Sequence, residues 1–518
     1  MAHAPPMRPD EIRQAFRSLL LGLFAGLLSS TVIVTALPRV VADLHGGQVA
    51  YTWVVAASMA AATLSLPLWG KLADLVSRKA LIQLSLGLFA LGSALCGLSG
   101  GVEQLIVGRV VQGLGAGGVT ALTQVIMAAL ILPRERARYN GRIALVMMVG
   151  TVGGPLLGGA LAETPWPGWR GCFHLGVVFA VAAALTLQRT LRLPAVERSR
   201  PGSRPDLAGA ALLTGAAGTF LVTLTLAGHA VPWASWPTAG AACAVIVLAV
   251  LFVRTEARAA DPLVPLRLLR DRTVALAAVA GFAVGPALFA SPALLGQYFQ
   301  IARGHSPTVS GLLTLPMIAG MLLASTVTGR LISAHGRWKR HVVAGGVLLL
   351  LGSALLGGVR AGTPLPVVCA YLFIGGAGVG MTSQNLLLIA QNAVPATELG
   401  ATTSLVVLSR SLGGVLGVAV LGSLLTARVN ALSPATGLGG GLPDPRTLSP
   451  SAMESVGAVY GHALGDVFTA AVPFALLLLA SVLLLRETPL RTARARKVRR
   501  AGAVRPRTGY GPGRHRRR

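Results

Sequence analysis

The sequence predicts an all-helical integral membrane protein, and three observations carry this prediction. Only 12% of the 518 residues are charged and 53% are hydrophobic, with a mean hydropathy of +0.69. Soluble domains contain about a quarter of charged residues, so an ordinary globular protein is excluded. Apolar runs of the ~20 residues that a spanning helix needs recur along the chain. Basic residues gather between these runs, as expected for segments on the cytoplasmic side of a membrane.

Fourteen runs meet the length requirement. They lie at residues 17–41, 51–69, 80–99, 104–130, 141–162, 172–190, 207–228, 237–255, 273–299, 308–332, 341–359, 365–389, 401–427 and 465–486. The first run is long enough to span the membrane and many others follow it, so no cleavable signal peptide is expected. The four cysteines lie inside apolar runs without metal or redox spacing, and we expect them to be small packing residues.

The basic residues predict the orientation of the runs. With the N-terminus in the cytoplasm, the inside segments carry several basic residues each, whereas the outside segments carry roughly one. The exception is the inside segment 391–400, which has no basic residue. The net charge of +28 therefore reflects topology, and nucleic acid is not an expected partner. The basic tail after Arg486 is expected to be disordered and to bind anionic lipids, at about 1 kcal/mol per basic residue.

A charged stretch separates the second and third runs. Residues 70–79 read Gly-Lys-Leu-Ala-Asp-Leu-Val-Ser-Arg-Lys, and so short a gap requires both flanking helices to end at one membrane face. The stretch resembles the loop between helices 2 and 3 of the major facilitator superfamily. The resemblance implies a conformational latch made of Gly70, Asp74, Arg78 and Lys79. We expect Asp74 to accept hydrogen bonds from a helix N-terminus in the other half of the protein. The alternative is a positive-inside loop that carries one aspartate.

An arginine lies within the fourth run. Placing Arg109 inside a spanning helix costs at least ~2.5–3.5 kcal/mol on insertion scales, so it needs a partner or a water-filled cavity. The surrounding segment 105–117, which includes Gln112, resembles the helix-4 motif of the same superfamily. The resemblance implies a role in coupling or in substrate binding. The alternative is that Arg109 snorkels to the outer surface, where Glu103 is close in sequence.

The fifth run contains a glycine-rich motif with one proline. Glycines at four-residue spacing allow two helix backbones to approach closely, and proline removes one helical hydrogen bond. The motif resembles the antiporter motif of superfamily exporters. Its members are Gly150, Gly154, Pro155, Gly158 and Gly159. Plain packing of small residues is the alternative.

Further segments resemble the fourteen-helix drug:proton antiporter branch of the superfamily. They are Trp169-Arg170-Gly-Cys-Phe173, Gly375–Gly380, Gln391–Pro395 and Ser409–Gly414. Residues 329–339 resemble the 70–79 stretch without its aspartate, as expected for a transporter built from two similar halves.

The resemblance covers about residues 17–490 and implies the major facilitator fold, with two six-helix bundles and two inserted helices. The expected organisation is a cytoplasmic N-terminus (1–16), an N-terminal bundle (17–190), a cytoplasmic linker (191–206), the inserted pair (207–255), a cytoplasmic loop (256–272), a C-terminal bundle (273–486) with a long extracytoplasmic loop (430–462), and a cytoplasmic tail (487–518).

The first helix departs from the branch at two positions. Ser29 stands where relatives have aspartate, and Val34 replaces an asparagine. The membrane-embedded acid that the resemblance implies for proton handling is therefore missing. The candidate proton carriers are the acids at the membrane edge, Asp43, Glu163 and Asp466; a histidine is the alternative.

Arg109 consequently lacks the acidic partner of its relatives. Its candidate neutral partners are Gln112, Ser29, Ser30 and Thr31. Two consequences stay open. The positive charge binds an anionic substrate, or an edge acid such as Asp43 or Glu103 neutralises it.

Together these features predict a secondary active transporter of the inner or plasma membrane that exports amphipathic organic compounds, with drugs and antibiotics among them. A proton gradient is the expected driving force, since the sequence has no Gly-x-x-x-x-Gly-Lys-Ser/Thr nucleotide loop. Candidate polar residues of the cavity are Gln124, Gln297, Tyr298, Gln300, Gln384, Asn385 and Arg410; bridging between helices is their alternative role. The alternative function is a dedicated exporter of one endogenous metabolite with atypical or no proton coupling.

An enzyme is not expected. The nine histidines are scattered along the sequence, and no cluster of His, Asp or Glu at a membrane face predicts a metal or general-base site. No cofactor or metal is predicted. The expected partners are a small-molecule substrate and the lipid bilayer, and the expected state is a monomer.

Overall fold

The structure, a computed structural model, describes residues 9–130, 136–165, 167–191, 207–226, 235–259, 262, 266–395, 398–432 and 450–487. Fourteen long α-helices lie within these ranges. They are α1 (Pro9–Asp43), α2 (Gln48–Leu75), α3 (Arg78–Gly97), α4 (Val102–Leu130), α5 (Arg136–Glu163), α6 (Arg170–Thr190), α7 (Leu207–Leu226), α8 (Trp236–Arg258), α9 (Arg272–Gln297), α10 (Pro307–His335), α11 (Lys339–Gly357), α12 (Leu365–Ala393), α13 (Leu399–Leu432) and α14 (Pro450–Leu484). A 3₁₀ turn (Leu266–Arg270) precedes α9, and a π-helical segment (Tyr298–Ala302) follows it directly.

The helices follow the hydropathy of the sequence, because each of the fourteen predicted runs coincides with one of them. Over the described residues, twelve helices are long and apolar enough to cross a membrane. The remaining two, α5 and α7, are not among these twelve over the same residues, and the apolar stretch of α7 is Ala211–Phe220. The all-helical membrane fold is thus confirmed, while the count of fourteen spans and the cytoplasmic termini stay predictions. The basic tail and most of the linker lie outside the described residues.

The charged stretch at 70–79 differs from the predicted loop. Helix α2 continues to Leu75, and only Val76 and Ser77 separate it from α3. Ala73 is fully buried, so packing against the neighbouring helices keeps this polar segment helical.

The segment 430–462, predicted as an extracytoplasmic loop, contains the start of a helix. Helix α14 begins at Pro450, so its first turns occupy part of that range. Val456 and Tyr460 are buried, and their burial stabilises this extension. Polar residues such as Glu454 lower the hydropathy of the stretch, which concealed its buried face in the sequence.

The helices form two halves with the same internal packing. In the N-terminal half (α1–α6), α1 packs on α5 and α6, α4 on α2 and α3, and α3 on α6. In the C-terminal half (α9–α14), α9 packs on α13 and α14, α12 on α10 and α11, and α11 on α14. A lysine makes the same contact in each half. Lys79 Nζ on α3 donates to the Gln188 carbonyl on α6 at 2.7 Å, and Lys339 Nζ on α11 donates to the Leu483 carbonyl on α14 at 3.1 Å. This correspondence is that of an internal repeat.

The halves meet at one end of the bundle. We name the ends by the predicted orientation: the inner end is where α1 begins, and the outer end is where α2 begins. At the outer end one hydrophobic core contains residues of both halves, such as Val41 and Ala293. Towards the inner end the N-terminal half has its own core around Leu81, and the C-terminal half has another around Val342. The halves are therefore joined at the outer end, in a contact that we call the seam, and have separate cores at the inner end.

The inserted pair lies beside the two halves. Helices α7 and α8 pack on each other, and α7 crosses α2 and α13, one helix from each half. Helix α8 is apolar, yet the side chains of its most apolar stretch are not buried. Apolar side chains on the outside of a membrane bundle face lipid. Helix α8 therefore has the surface expected of a lipid-facing helix at the edge of the bundle.

Candidate functional site

A hydrogen-bonded cluster inside the N-terminal half contains Arg109. Its side chain is only 5% exposed, and its Nε donates to the carbonyl oxygen of Val54 on α2 at 3.2 Å. Its Nη1 donates to Oε1 of Gln112, one turn further along α4. We call Arg109, Gln112, Ser29 and Ser93 the arginine cluster.

Gln112 extends the arginine cluster to two more helices. Its Nε2 donates to Ser29 Oγ on α1 at 3.1 Å and to Ser93 Oγ on α3 at 2.8 Å. The Gln112 side chain can reach α3 because α3 and α4 pack closely. A Cβ added at Gly92 on α3 would lie only 2.5 Å from the Gln112 Cα on α4. Ser29, Ser93 and Gln112 are all buried. The guanidinium is thus tied to α1, α2 and α3 from its place on α4.

The arginine cluster holds its positive charge among neutral groups. Within the described residues, no carboxylate lies at ion-pair distance from Arg109. The edge acids Asp43 and Glu103 have exposed side chains at the outer end. The side chain of Arg109 is turned into the N-terminal half, in contrast to the snorkelling alternative. A buried arginine is costly to leave unpartnered, and here the Val54 carbonyl and the Gln112 amide oxygen partner it.

Two of the predicted partners lie elsewhere. Ser30 is exposed, and its hydroxyl donates to the Leu27 carbonyl of its own helix at 2.7 Å. The Thr31 hydroxyl donates to the carbonyl of Gly150 on α5 at 3.0 Å. Successive helix residues point about 100° apart, so only one of three consecutive side chains on α1 reaches the arginine cluster.

The glycine-rich motif places α5 against both halves. A Cβ added at Gly154 would collide with Thr31, and one added at Gly158 would collide with the Val32 carbonyl, both on α1. Helix α5 also contacts α10 of the other half, because a Cβ added at Gly159 would lie 2.5 Å from the Cα of Thr308 on α10. Pro155 belongs to the same contact, because a Cβ at Gly311 of α10 would lie 2.5 Å from the Pro155 carbonyl oxygen, and Gly150 lies beside Leu27. The motif therefore joins α1 of its own half to α10 of the other half.

Hydrogen bonds of Tyr51, Gln300 and Glu163 cross the seam in the part of the chain that the structure describes. Tyr51 Oη on α2 donates to the Ala293 carbonyl on α9 at 2.8 Å. Gln300 Nε2 donates to the Thr35 carbonyl on α1 at 2.7 Å. Glu163 Oε1, at the end of α5, accepts the backbone N–H of Thr308 in the first turn of α10 at 3.0 Å. A carboxylate at a helix N-terminus is stabilised by the helix dipole, so Glu163 caps α10 from the opposite half.

The C-terminal side of the seam is built on the π-helical segment. Its Tyr298 is buried and donates its hydroxyl to the Arg360 carbonyl at 3.0 Å. Between this segment and α10, burial and the positive charge of Arg303 lower the pKa of His305. A lowered pKa keeps the imidazole neutral at pH 7. Single π-turns inside α-helices mark functional sites in many proteins.

The other candidate cavity residues are spread over the C-terminal half. Arg410 Nη1 on α13 donates to Ser383 Oγ on α12 at 3.0 Å. Asn385 is buried and donates to the Met381 carbonyl of its own helix at 2.7 Å, and Gln384 is exposed. Gln297 is fully buried at the seam. The side chain of Gln124 lies outside the described part.

The predicted latch is only partly described. Arg78 Nε donates to the Ala73 carbonyl at 3.3 Å, and Lys79 binds α6 as noted above. A Cβ added at Gly70 would have no neighbour within 4 Å. The side chain of Asp74 lies outside the described part, so its predicted partner in the other half stays a prediction.

The remaining candidate proton carrier lies at the surface. Asp466 Oδ2 pairs with Arg428 Nε at 3.5 Å, and both side chains are substantially exposed. Exposed pairs contribute little to stability. In the described part, no group of three His, Cys, Asp or Glu side chains could hold a metal ion.

Sequence reasoning missed several seam residues. Tyr51, Gln48 and Thr308 lie near the starts of apolar runs, where polar residues are ordinary. The partners of Tyr51 and Thr308 are more than a hundred positions away, so local patterns could not reveal these contacts. The spacing of Gln48 and Tyr51, which places both on one face of α2, is the signal that could have found them.

Comparisons with known proteins agree on one family. The family described as Major Facilitator Superfamily matches residues 19–418. An uncharacterized MFS-type transporter of Mycobacterium tuberculosis (strain ATCC 25618 / H37Rv) is 33% identical over 497 residues, which cover 94% of this chain and 72% of the relative. The multidrug transporter protein MdtP of Bacillus subtilis (strain 168) is 28% identical over 413 residues, which cover 79% of this chain and 74% of that protein.

A solved structure supports the fold. The chain is similar to a bacterial homolog of the human lysosomal transporter Spinster, crystallised in an inward-facing and unoccupied conformation, with a TM-score of 0.67. The match covers 92% of this chain and 97% of that chain at 16% sequence identity.

Proposed function

The chain belongs to the Major Facilitator Superfamily and is a multi-pass membrane transporter, and we propose that it exports amphipathic organic compounds from the cytoplasm by alternating access. In this mechanism the two halves open in turn towards each side of the membrane. The Bacillus subtilis relative MdtP is a multidrug transporter protein, which supports this class of cargo.

One observation carries the proposal. The halves share a hydrophobic core and three side-chain hydrogen bonds at the outer end, whereas the buried residues of the inner end form a separate core in each half. A two-half protein whose buried core is shared at one end and divided between the halves at the other has the geometry expected of one state of an alternating-access cycle. With the predicted orientation, this state receives cargo from the cytoplasm.

The driving force is part of the proposal. We propose proton coupling, as the resemblance to drug:proton antiporters implies. The arginine cluster has no carboxylate among the described residues, so the proton carrier lies elsewhere. Of the three candidate acids, Glu163 is the one whose carboxylate is bonded to the opposite half. It is therefore the candidate that we favour.

An efflux panel tests the proposed function. Cells of a drug-sensitive host that produce the protein should accumulate less of several unrelated amphipathic compounds than cells with the empty vector. Addition of a protonophore should restore accumulation. Export of a single compound would favour the dedicated metabolite exporter, and export of none would contradict the proposal.

A further inference from the structure

A small cavity lies in the seam itself. Residues of α2, α9 and α13 line it, and its polar members are Gln48, Tyr51 and Thr52 from the N-terminal half and Gln297 from the C-terminal half. The other lining residues are small or aliphatic, and none is charged. In this closed seam the cavity has room for about one group of the size of a water molecule.

The two glutamines have unused hydrogen-bonding capacity. Gln297 is fully buried and Gln48 is 6% exposed. Within the described residues, neither the oxygen nor the nitrogen of either amide has a hydrogen-bond partner. The Tyr51 hydroxyl lies beside the Gln297 amide but outside hydrogen-bonding geometry with it, and it gives its own proton to the Ala293 carbonyl. A buried polar group without a partner costs about 1–3 kcal/mol, so two whole amides are expensive to retain for packing alone.

The backbone around Gln297 is also unusual. The helix changes from α to π directly after this residue. Gly296 lets the N-terminal half approach, because a Cβ there would lie 3.5 Å from the Val34 carbonyl oxygen and 3.9 Å from the Tyr51 hydroxyl. The local structure therefore brings the Gln297 amide into the seam and not into the interior of its own half.

We propose that Gln48 and Gln297 form a binding site for one neutral group that both donates and accepts hydrogen bonds. The amides supply two donors and two acceptors from opposite halves, and the absence of lining charge excludes an ionic ligand as the natural occupant. Two sources offer such a group. One is a water molecule, and the other is a hydroxyl or amide of the cargo, bound as the seam parts and the cargo leaves. The inference rests on the proposed export function and adds a recognition rule to it.

The test compares Gln297→Leu and Gln48→Leu with Gln300→Leu. The control residue is a seam glutamine whose amide is already bonded to the Thr35 carbonyl. The cargo is a matched pair of dyes that the wild-type protein expels, one with a neutral hydroxyl and one with hydrogen at that position. Efflux rates and apparent unfolding temperatures are measured for every variant.

The proposal expects Gln297→Leu and Gln48→Leu to reduce export. A threefold to tenfold loss confined to the hydroxyl-bearing dye, the size of one ordinary hydrogen bond, assigns the site to cargo. An equal loss for both dyes assigns it to water that the seam needs in order to open. Gln300→Leu should lower the unfolding temperature and leave the ratio of the two dyes unchanged.

One result overturns the inference. If Gln297→Leu and Gln48→Leu raise the unfolding temperature and export both dyes at the wild-type rate, the amides are unused polar groups and no ligand binds there. In that case the proposed function stands, because the variants still export. Failure of the wild-type protein to export any dye would instead contradict the proposed function, and the inference would fall with it.

Discussion

The Arg109 guanidinium is held by neutral groups among the described residues, although the related drug:proton antiporters are expected to supply an aspartate. Ser29 occupies the position of that acid and reaches Arg109 only through Gln112. A backbone carbonyl and a side-chain amide accept hydrogen bonds from this arginine without changing charge. A membrane carboxylate, in contrast, gains or loses charge with pH.

Restoring the acid tests this difference. Ser29→Asp should make efflux more dependent on pH and shift selectivity towards cationic compounds, because a titratable negative charge then lies at the arginine cluster. The matched control is Ser30→Asp, at an exposed neighbouring position outside the cluster, which should leave both properties near wild type. Efflux of cationic and neutral dyes between pH 5.5 and pH 8 (about the range in which membrane acids and histidines change charge) measures the effect. Equal behaviour of the two variants would contradict the account.

The sequence identified site residues whose side-chain type is rare inside a membrane. Arg109 stands out because an intramembrane charge needs a reason, and Gln112 follows from its spacing of one turn. The choice of Ser29 over Ser30 and Thr31 was not predictable, since it depends on the rotation of α1 about its own axis. The Gln48 and Gln297 amides escaped recognition as a pair because they are 249 positions apart in the sequence.

At the scale of helices, α5 depends on glycine for its contact with α1. Gly154→Ala should destabilise the protein by about 1–3 kcal/mol, the usual effect of overpacking, because the new methyl group meets Thr31. Gly153→Ala is the control, since a Cβ there has no neighbour within 4 Å. It should be neutral or slightly stabilising. The apparent unfolding temperature of the purified variants measures both, and similar values would show that α1 and α5 do not pack closely.

The cap on α10 is a second element-scale device. Glu163→Ala should weaken closure of the outer end by about 0.3–1 kcal/mol, which changes the ratio of the two end states roughly twofold to fivefold. Spin labels on the outer ends of α5 and α10 would report a larger share of long distances. Glu103→Ala, which removes an exposed outer acid at the start of α4, should leave the distances unchanged. A Glu163→Ala distribution identical to wild type would remove Glu163 from the seam mechanism.

Hydropathy predicted which segments are helices better than where they end. It fails at the end of α2 and at the start of α14, where helices continue through polar residues. Buried side chains such as Ala73 and Tyr460 stabilise those turns. Such stabilisation comes from tertiary packing, which a single sequence does not display.

At the scale of the whole molecule, the predicted latch around Asp74 would close the inner end, as the seam closes the outer end, and it stays a prediction. Asp74→Asn should strongly reduce transport while the amount of protein in the membrane stays normal. The expected reason is loss of a carboxylate that holds the inner end closed in the other state of the cycle. Efflux measured together with membrane abundance tests this, and normal transport by the variant would end the hypothesis.

The central claim is that the outer seam must open during transport, and a reversible cross-link tests it most directly. Thr52 and Gly422 face each other across the halves, and a Cβ added at Gly422 would lie 3.2 Å from the Thr52 Cβ, close to the separation in disulfides. Thr52→Cys/Gly422→Cys would be made in a protein whose four native cysteines, all free, are replaced. We predict export by the double variant under reducing conditions, no export after oxidation, and recovery on reduction, whereas oxidation should not change the export rate of either single variant. Undiminished export by the fully cross-linked protein would contradict alternating access through this seam.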